Sequence, residues 1–237
     1  MNLTSDEIKI NFEQIQRRVF EAATGCGRNP EEITIVAVSK THPLELIKAG
    51  MDAGIKVFGE NYAQELKEKN DALGIESKNI HWHFIGHLQT NKVKLIAPYV
   101  SIIHSVDSLH LAEEISRQAQ KYNRTIEILL QVNTSGEESK SGCDPDDIYT
   151  FAKEAIQIPN LNITGLMTIG SFTDNIIQIR KEFRMLRAIR DELNNNYGIH
   201  QLRNLSMGMT GDFETAIEEG STFIRVGTAI FGQRDYS

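Results

Sequence analysis

Short runs of apolar and β-branched residues alternate with amphipathic stretches along this chain of 237 residues. The apolar runs predict eight strands, near residues 33–38, 56–58, 81–85, 101–104, 126–132, 162–169, 203–207 and 222–226. Apolar positions at helical spacing predict helices over residues 43–53, 62–73, 91–96, 108–122, 145–157, 176–195 and 212–219. One more helix precedes the first strand, because Thr4-Ser5-Asp6-Glu7 has the spacing of a capping box.

The apolar character of the strands indicates the fold class. Continuously apolar strands are typical of parallel sheets that helices cover. Eight βα units in a chain of this length predict a single-domain α/β fold, a (β/α)8 TIM barrel over residues 1–237, with residues 1–30 as an N-terminal helical extension. An open doubly wound sheet is the alternative. It is disfavoured because no Gly-x-Gly-x-x-Gly follows the first strand, where a dinucleotide site in such a sheet would need it.

Composition narrows the classes of protein and of partner. No run of about eighteen apolar residues and no apolar N-terminal segment are present, so we expect a cytoplasmic protein without membrane contact. The net charge of −7 comes from interspersed acidic and basic residues, so no nucleic-acid partner is expected. Cys26 and Cys143 are too few for a disulfide framework and are wrongly spaced for a zinc site, so no metal is expected either.

Lys40 is the first candidate for chemistry. It follows Ser39 and the apolar run 33–38, where a buried strand should emerge into a loop. Apolar neighbours disfavour the charged form of a lysine and lower its pKa, which leaves a neutral amine able to attack an aldehyde. The alternative interpretation is an ordinary surface lysine just beyond a strand.

A second set of candidates follows the last two strands. In TIM barrels the loops after strands seven and eight commonly bind phosphate. Ser206 and Met207 come from the predicted seventh strand end, and Gly227 and Thr228 follow the eighth strand. Glycine lets the backbone approach an anion closely, and Ser and Thr hydroxyls can donate hydrogen bonds to it. Together with Lys40, these residues predict a cofactor with an aldehyde at one end and a phosphate at the other, pyridoxal 5′-phosphate.

Seven blocks of sequence also carry a family resemblance. They comprise residues 37–40, 58–62, 82–92, 133–142, 165–170, 206–209 and 225–232, and they run nearly from end to end. In this order they resemble the pyridoxal phosphate homeostasis protein family. The resemblance implies a barrel related to the N-terminal domain of alanine racemases, of fold type III, with an internal aldimine at Lys40. It also implies a non-catalytic role, in which the protein binds and buffers the cofactor and delivers it to apo-enzymes.

The resemblance suggests roles for further residues. Arg225 resembles the arginine that faces the pyridine nitrogen; because a guanidinium only donates, it would keep that nitrogen unprotonated and weaken the ring as an electron sink. A surface ion pair is the alternative for Arg225. Asn61 is a candidate contact near the ring or beside Lys40, with a helix cap as the alternative. His83 is a candidate contact, with a buried structural histidine as the alternative, and the same choice applies to His104.

Two positions bear on cofactor transfer. Lys140, in the loop after the fifth strand, is interpreted either as a cation over the entrance or as a solvated loop lysine. Many relatives carry a second lysine two residues after the aldimine lysine, where this chain has His42. If that lysine serves transfer, the step is expected to be weaker or pH-dependent here.

Two other functions remain open, an amino-acid racemase or decarboxylase and a sugar-phosphate enzyme that uses Lys40 as a Schiff-base lysine. Racemisation in a related barrel needs a second acid/base, which alanine racemases take from a tyrosine of a partner subunit with an extra β-domain. This chain ends at Ser237 without room for that domain, and of its six tyrosines only Tyr62 is near a strand end. We therefore predict a non-enzymatic, monomeric carrier with weak or absent turnover.

Overall fold

The computed structural model describes residues 3–137 and 140–233. Within them, eight parallel strands close into a barrel in chain order, and the first strand pairs with both the second and the eighth. The strands are β1 (Thr34–Val38), β2 (Val57–Glu60), β3 (His81–Phe84), β4 (Ile102–Val106), β5 (Ile126–Gln131), β6 (Leu161–Met167), β7 (Asn204–Met209) and β8 (Phe223–Val226). The predicted TIM barrel is confirmed.

Helices alternate with the strands and cover the outside of the barrel. They are α1 (Ser5–Gly25), α2 (Leu44–Asp52), α3 (Ala63–Leu73), α4 (Val93–Ile96), α5 (Leu109–Lys121), α6 (Ile148–Ala155), α7 (Ile176–Asn196), α8 (Phe213–Glu218) and α9 (Thr228–Phe231). The predicted capping box begins α1, since the Thr4 N–H donates to Glu7 Oε2 at 2.8 Å and the Glu7 N–H to Thr4 Oγ1 at 3.3 Å. α1 packs against α2, α8 and α9, so the N-terminal extension forms part of the barrel wall.

The alternation of side chains along β1 decides what faces the barrel interior. The interior core contains Val36, Ile102, Leu129, Met167 and Phe223, whereas the larger core lies between the strands and the helices. Ala37 belongs to the outer core and Val36 to the inner one, as the period of two along a strand requires. Continuing this alternation, Val38 and Lys40 line the mouth of the barrel while Ser39 bonds Glu60 on the outer side.

Several expectations concern the surface and the termini. Of the helices in the described ranges, none combines the length and the apolar character needed to cross a membrane. Cys26 and Cys143 are both free thiols. Glu138 and Ser139, in the loop that carries Lys140, and the C-terminal residues 234–237 lie outside the described part of the chain.

Candidate functional site

A cavity of about 620 Å³ opens where the strands end. Small-molecule sites typically measure roughly 300–1,000 Å³, so the cavity can take a cofactor. It is lined by Val38, Lys40, Asn61, Ile85, Ile169, Ser171, Phe172, Thr173, Asp174, Ile176, Ile179, Met209, Thr210, Gly211, Asp212, Arg225, Gly227 and Thr228. Five sequence-predicted candidates, Lys40, Asn61, Arg225, Gly227 and Thr228, are thus brought together around one space.

Arg225 reaches this cavity from β8 and is only 5% exposed. Its Nη1 donates to Ser206 Oγ at 2.6 Å and its Nη2 to the Thr168 carbonyl at 2.9 Å. Burial lowers the pKa of the guanidinium to about 10, and the nearby Asp212 carboxylate opposes this shift. Arg225 therefore stays charged at neutral pH and acts as a hydrogen-bond donor. The alternative interpretation, a surface ion pair, is wrong because the side chain is buried.

A chain of hydrogen bonds continues from Arg225 into the barrel interior. Ser206 Oγ lies 2.8 Å from His104 Nδ1, and His104 Nε2 lies 3.0 Å from His83 Nδ1. Because Arg225 can only donate to Ser206, we assign the serine proton to the bond with His104 and the proton of each histidine to Nε2. We call this set of residues the inner chain: Arg225, Ser206, His104 and His83.

Both histidines of the inner chain are buried and neutral. Burial lowers the pKa of His83 to about 3, and burial together with the neighbouring His83 and Arg225 lowers that of His104 well below its usual value. His83 and His104 also contact the Phe223 ring, with centroids 5.4 and 5.3 Å away. Neither histidine lines the cavity, and both connect to Arg225 through Ser206; the role of His83 as a ligand contact stays a prediction.

The seventh strand ends later than its apolar run predicts. β7 continues to Met209, two residues beyond the predicted end, so Ser206 and Met207 lie within the sheet, and their role as phosphate contacts stays a prediction. Ser206 Oγ is used by the inner chain, and the Met207 side chain is buried in the core between strands and helices. Neither residue lines the cavity.

Residues 209–212 reach the cavity instead, and the sequence reasoning missed Thr210 and Gly211. The register between β7 and β8 shifts between Ser206 and Met209. Gly208, at this shift, has φ +92°, and a Cβ there would lie 2.5 Å from Ala216 Cβ. An isolated glycine within a strand pattern signals such an irregularity, and this signal was available in the sequence.

Asn61 is held at the cavity wall by a close approach of the chain after β3. A Cβ at Gly86 would lie only 2.3 Å from the Asn61 carbonyl oxygen, so glycine is needed there. Because α3 begins after Tyr62, the alternative interpretation of Asn61 as a helix cap is wrong. Among the described residues, Asn61 Oδ1 is one of three buried side-chain atoms without a hydrogen-bond partner. Such an acceptor on a cavity wall suits a ligand that donates a hydrogen bond.

Lys140 and His42 lie away from the cavity lining. Lys140 Nζ donates to the Gly170 carbonyl at 2.7 Å and pairs with Glu137 at 2.9 Å. It therefore connects the loop after β5 to the loop after β6. His42 is 7% exposed and packs against Phe231, with ring centroids 5.5 Å apart.

The sequence is similar to known proteins over most of its length. Residues 5–235 match the family model described as alanine racemase, N-terminal domain. A pyridoxal phosphate homeostasis protein of Aquifex aeolicus is 42% identical over 223 residues, which cover 94% of this chain and 96% of that protein. The Escherichia coli protein of the same name is 39% identical over 235 residues, covering 98% and 99%.

Solved structures show the same architecture. A Bifidobacterium adolescentis protein described as unknown has a TM-score of 0.90 at 40% identity, covering 96% of this chain and 95% of that one. PipY of Synechococcus elongatus, solved with pyridoxal phosphate bound, has a TM-score of 0.80 at 33% identity, covering 91% and 100%. An alanine racemase of Clostridium difficile has a TM-score of 0.77 at 14% identity, covering 98% and 58%, and shares the fold alone.

Proposed function

Because the chain belongs to the pyridoxal phosphate homeostasis protein family, built on the alanine racemase N-terminal domain, we propose that it binds pyridoxal 5′-phosphate and buffers its free concentration. The observation that carries this proposal is the gathering of Lys40, Asn61, Arg225, Gly227 and Thr228 around one cavity. Delivery to apo-enzymes is part of the proposal. The free thiols of Cys26 and Cys143 fit a reducing compartment and support a cytoplasmic location.

Lys40 is the covalent attachment residue in this proposal. When bound, the cofactor supplies an aldehyde carbon to which a lysine amine becomes linked as water leaves. Among the described residues that line the cavity, Lys40 is the only lysine. Val38 and Ile85 add apolar surface to the same wall.

The other end of the ligand would lie against the loops after β7 and β8. Thr210, Gly211, Gly227 and Thr228 all line the cavity there and offer hydroxyl and backbone N–H donors for a phosphate. Gly227 approaches β1 so closely that a Cβ would lie 3.2 Å from the Val38 carbonyl oxygen. We therefore replace Ser206 and Met207 by Thr210 and Gly211 as proposed phosphate contacts.

Arg225 and Asn61 would bind the ring. A charged donor beside the ring nitrogen holds that nitrogen unprotonated, which disfavours the carbanion chemistry of racemases and decarboxylases. Asn61 Oδ1 offers an acceptor to a ligand hydroxyl. The Arg225 donor and the Asn61 acceptor together support a binding role more than a catalytic one.

The remaining lining residues also support a carrier. No tyrosine within residues 3–137 and 140–233 lines the cavity, and Tyr62 is 58% exposed at the start of α3. Among the described lining residues the carboxylic acids are Asp174 and Asp212, and Asp212 Oδ1 accepts the Met209 N–H at 2.5 Å. A second acid/base placed for racemisation is thus not among the tyrosines described.

Absorbance spectroscopy with borohydride reduction and peptide mapping tests the proposal. We expect a yellow, reducible chromophore in the parent protein and in Lys48→Ala, an exposed control on α2, and its loss in Lys40→Ala. The reduced adduct should map to Lys40, and common amino acids should not racemise. A colourless protein that cannot be reconstituted would instead favour the sugar-phosphate enzyme, and sustained turnover would favour the racemase.

A further inference from the structure

A buried charged cluster lies on the outer side of the barrel, behind the strand end that carries Lys40. We call it the outer cluster: Ser39, Glu60, Glu65 and Lys69. Ser39 and Glu60 are 0% exposed and Lys69 is 7% exposed. Glu65 and Lys69 lie one turn apart on α3, whereas Ser39 directly follows β1 and Glu60 ends β2. Ser39 Oγ donates to Glu60 Oε1 at 2.7 Å. The outer cluster therefore joins α3 to the ends of β1 and β2.

The ammonium of Lys69 has an acceptor for each of its three protons. It donates to Glu60 Oε1 at 2.7 Å, to Glu65 Oε1 at 2.6 Å and to the Ser39 carbonyl at 2.8 Å. The third of these bonds holds the peptide unit just before Lys40. Since burying charges is costly and an apolar contact joins helix to strand equally well, a packing role alone does not require this arrangement.

Glu65 also binds the peptide unit just after Lys40. The Thr41 N–H donates to Glu65 Oε1 at 2.6 Å. Thr41 has φ +63°, and the other non-glycine residues with positive φ in the described ranges are both Asn. A β-branched residue in this conformation is strained, and it persists only where the surroundings over-determine it. Glu65 of α3 helps to maintain this strain next to Lys40. The strain therefore indicates that the backbone at Lys40 is held in a particular position.

Glu60 is the fully buried carboxyl group of the outer cluster and contacts Lys69. Burial raises the pKa of Glu60 to about 7, against the attraction of Lys69. Its Oε2 is buried and has no hydrogen-bond partner among the described residues. Burial therefore disfavours the ionised form of Glu60, and the attraction of Lys69 offsets part of this effect.

We propose that Lys69 and Glu65 are positioning residues for Lys40, which bind the peptide units on both of its sides and thereby fix where its side chain enters the cavity. This inference rests on the proposed attachment of the cofactor at Lys40. The outer cluster holds Lys40 through its flanking peptide units and not through its side chain. Without the cluster, Thr41 would relax from its left-handed conformation and the Lys40 side chain would change direction.

The test compares Lys69→Met with Lys67→Met, a half-exposed lysine on the same helix that pairs with Asp71. In the protein without cofactor, amide hydrogen exchange at Thr41 should accelerate roughly tenfold in Lys69→Met. After addition of pyridoxal 5′-phosphate, the borohydride-trapped adduct at Lys40 should form at least roughly ten times more slowly in Lys69→Met than in the parent. Lys67→Met should stay within about twofold of the parent in both measurements.

Two further variants keep the test decisive. Lys69→Arg retains a donor and should restore a substantial part of the trapping rate. Glu65→Leu, which removes the acceptor of the Thr41 N–H, should accelerate exchange at Thr41 even if Lys69→Met does not fold. Equal behaviour of Lys69→Met and Lys67→Met, or unchanged Thr41 exchange in Glu65→Leu, would refute the positioning role. Absence of any Lys40 adduct in the parent would refute the proposed function instead. The exchange rate at Thr41 would still test whether the outer cluster holds the backbone around Lys40.

Discussion

The inner chain and the outer cluster support two neighbouring residues of the cavity in different ways. Arg225 is held through its side chain, by hydrogen bonds to Ser206 Oγ and the Thr168 carbonyl. Lys40 is flanked by backbone bonds, through the Ser39 carbonyl and the Thr41 N–H. A guanidinium only donates hydrogen bonds, so it can keep the same partners before and after a ligand binds. An amine that forms a covalent bond must change partners, so its support is better placed on the backbone.

The two regions also differ in charge. The outer cluster pairs Lys69 with two carboxylates, of which Glu65 is partly exposed. The inner chain surrounds the charge of Arg225 with a hydroxyl and neutral histidines, whose protonation is disfavoured by burial and, at His104, by Arg225. Lys69 is thus compensated by two carboxylates that it contacts, whereas the direct partners of Arg225 are a hydroxyl and a backbone carbonyl, with the Asp212 carboxylate nearby.

The largest effect is expected from Ser206→Ala, which breaks the inner chain. Arg225 Nη1 and His104 Nδ1 would lose their shared partner in a buried environment, and the free energy of unfolding should fall by about 3 kcal/mol. Urea denaturation measures this loss. Ser77→Ala, which removes an exposed bond to the Gly74 carbonyl, is the control and should cost less than about 0.5 kcal/mol. Similar losses in the two variants would show that the inner chain contributes little.

A pH-dependent effect is expected from Glu60→Gln in the outer cluster. The pKa of Glu60 is raised by burial from 4.5 to about 7, with Lys69, Glu65 and Ser39 as the other contributors. Between these values the native protein holds a proton that the unfolded chain has released, so this carboxyl makes stability fall as pH rises. Across that window the parent should lose on the order of 2 kcal/mol relative to Glu60→Gln.

Denaturation of both proteins near pH 4.5 and above pH 7 measures the difference. Glu68→Gln, on the exposed side of α3, should follow the pH profile of the parent. A difference between parent and Glu60→Gln that is constant with pH would mean that Glu60 is ionised in the native protein throughout the window.

The smallest effect is expected at Thr41, where the backbone of the outer cluster is strained. Thr41→Gly and Thr41→Ala both remove the hydroxyl, but only glycine adopts φ +63° without steric cost. The glycine variant should therefore be the more stable of the two by about 1 kcal/mol, despite the larger entropy of its unfolded chain. Greater stability of the alanine variant in chemical denaturation would indicate a right-handed conformation at this position.

Much of the fold could be read from the sequence because it depends on local patterns. Apolar runs gave the strands, helical periodicity gave the helices, and Thr4 with Glu7 gave the start of α1. Lys40 was predicted from its place at a strand end, and the structure puts it on the cavity wall. These features rest on side chains within a few positions of one another, so their patterns are visible without a partner strand.

Only the tertiary structure decided how the candidate residues divide between ligand contacts and supports. Ser206, His104 and His83 come from three different strands, and Lys69 lies 30 residues from Ser39. A shift at Gly208 moves the end of β7 from Met207 to Met209 and exchanges Ser206 for Thr210 at the mouth. Such outcomes depend on barrel closure and strand register, where a displacement of one residue reverses the direction of a side chain. The sequence by itself thus determined the barrel and its lysine, and long-range registration determined which groups hold that lysine in place.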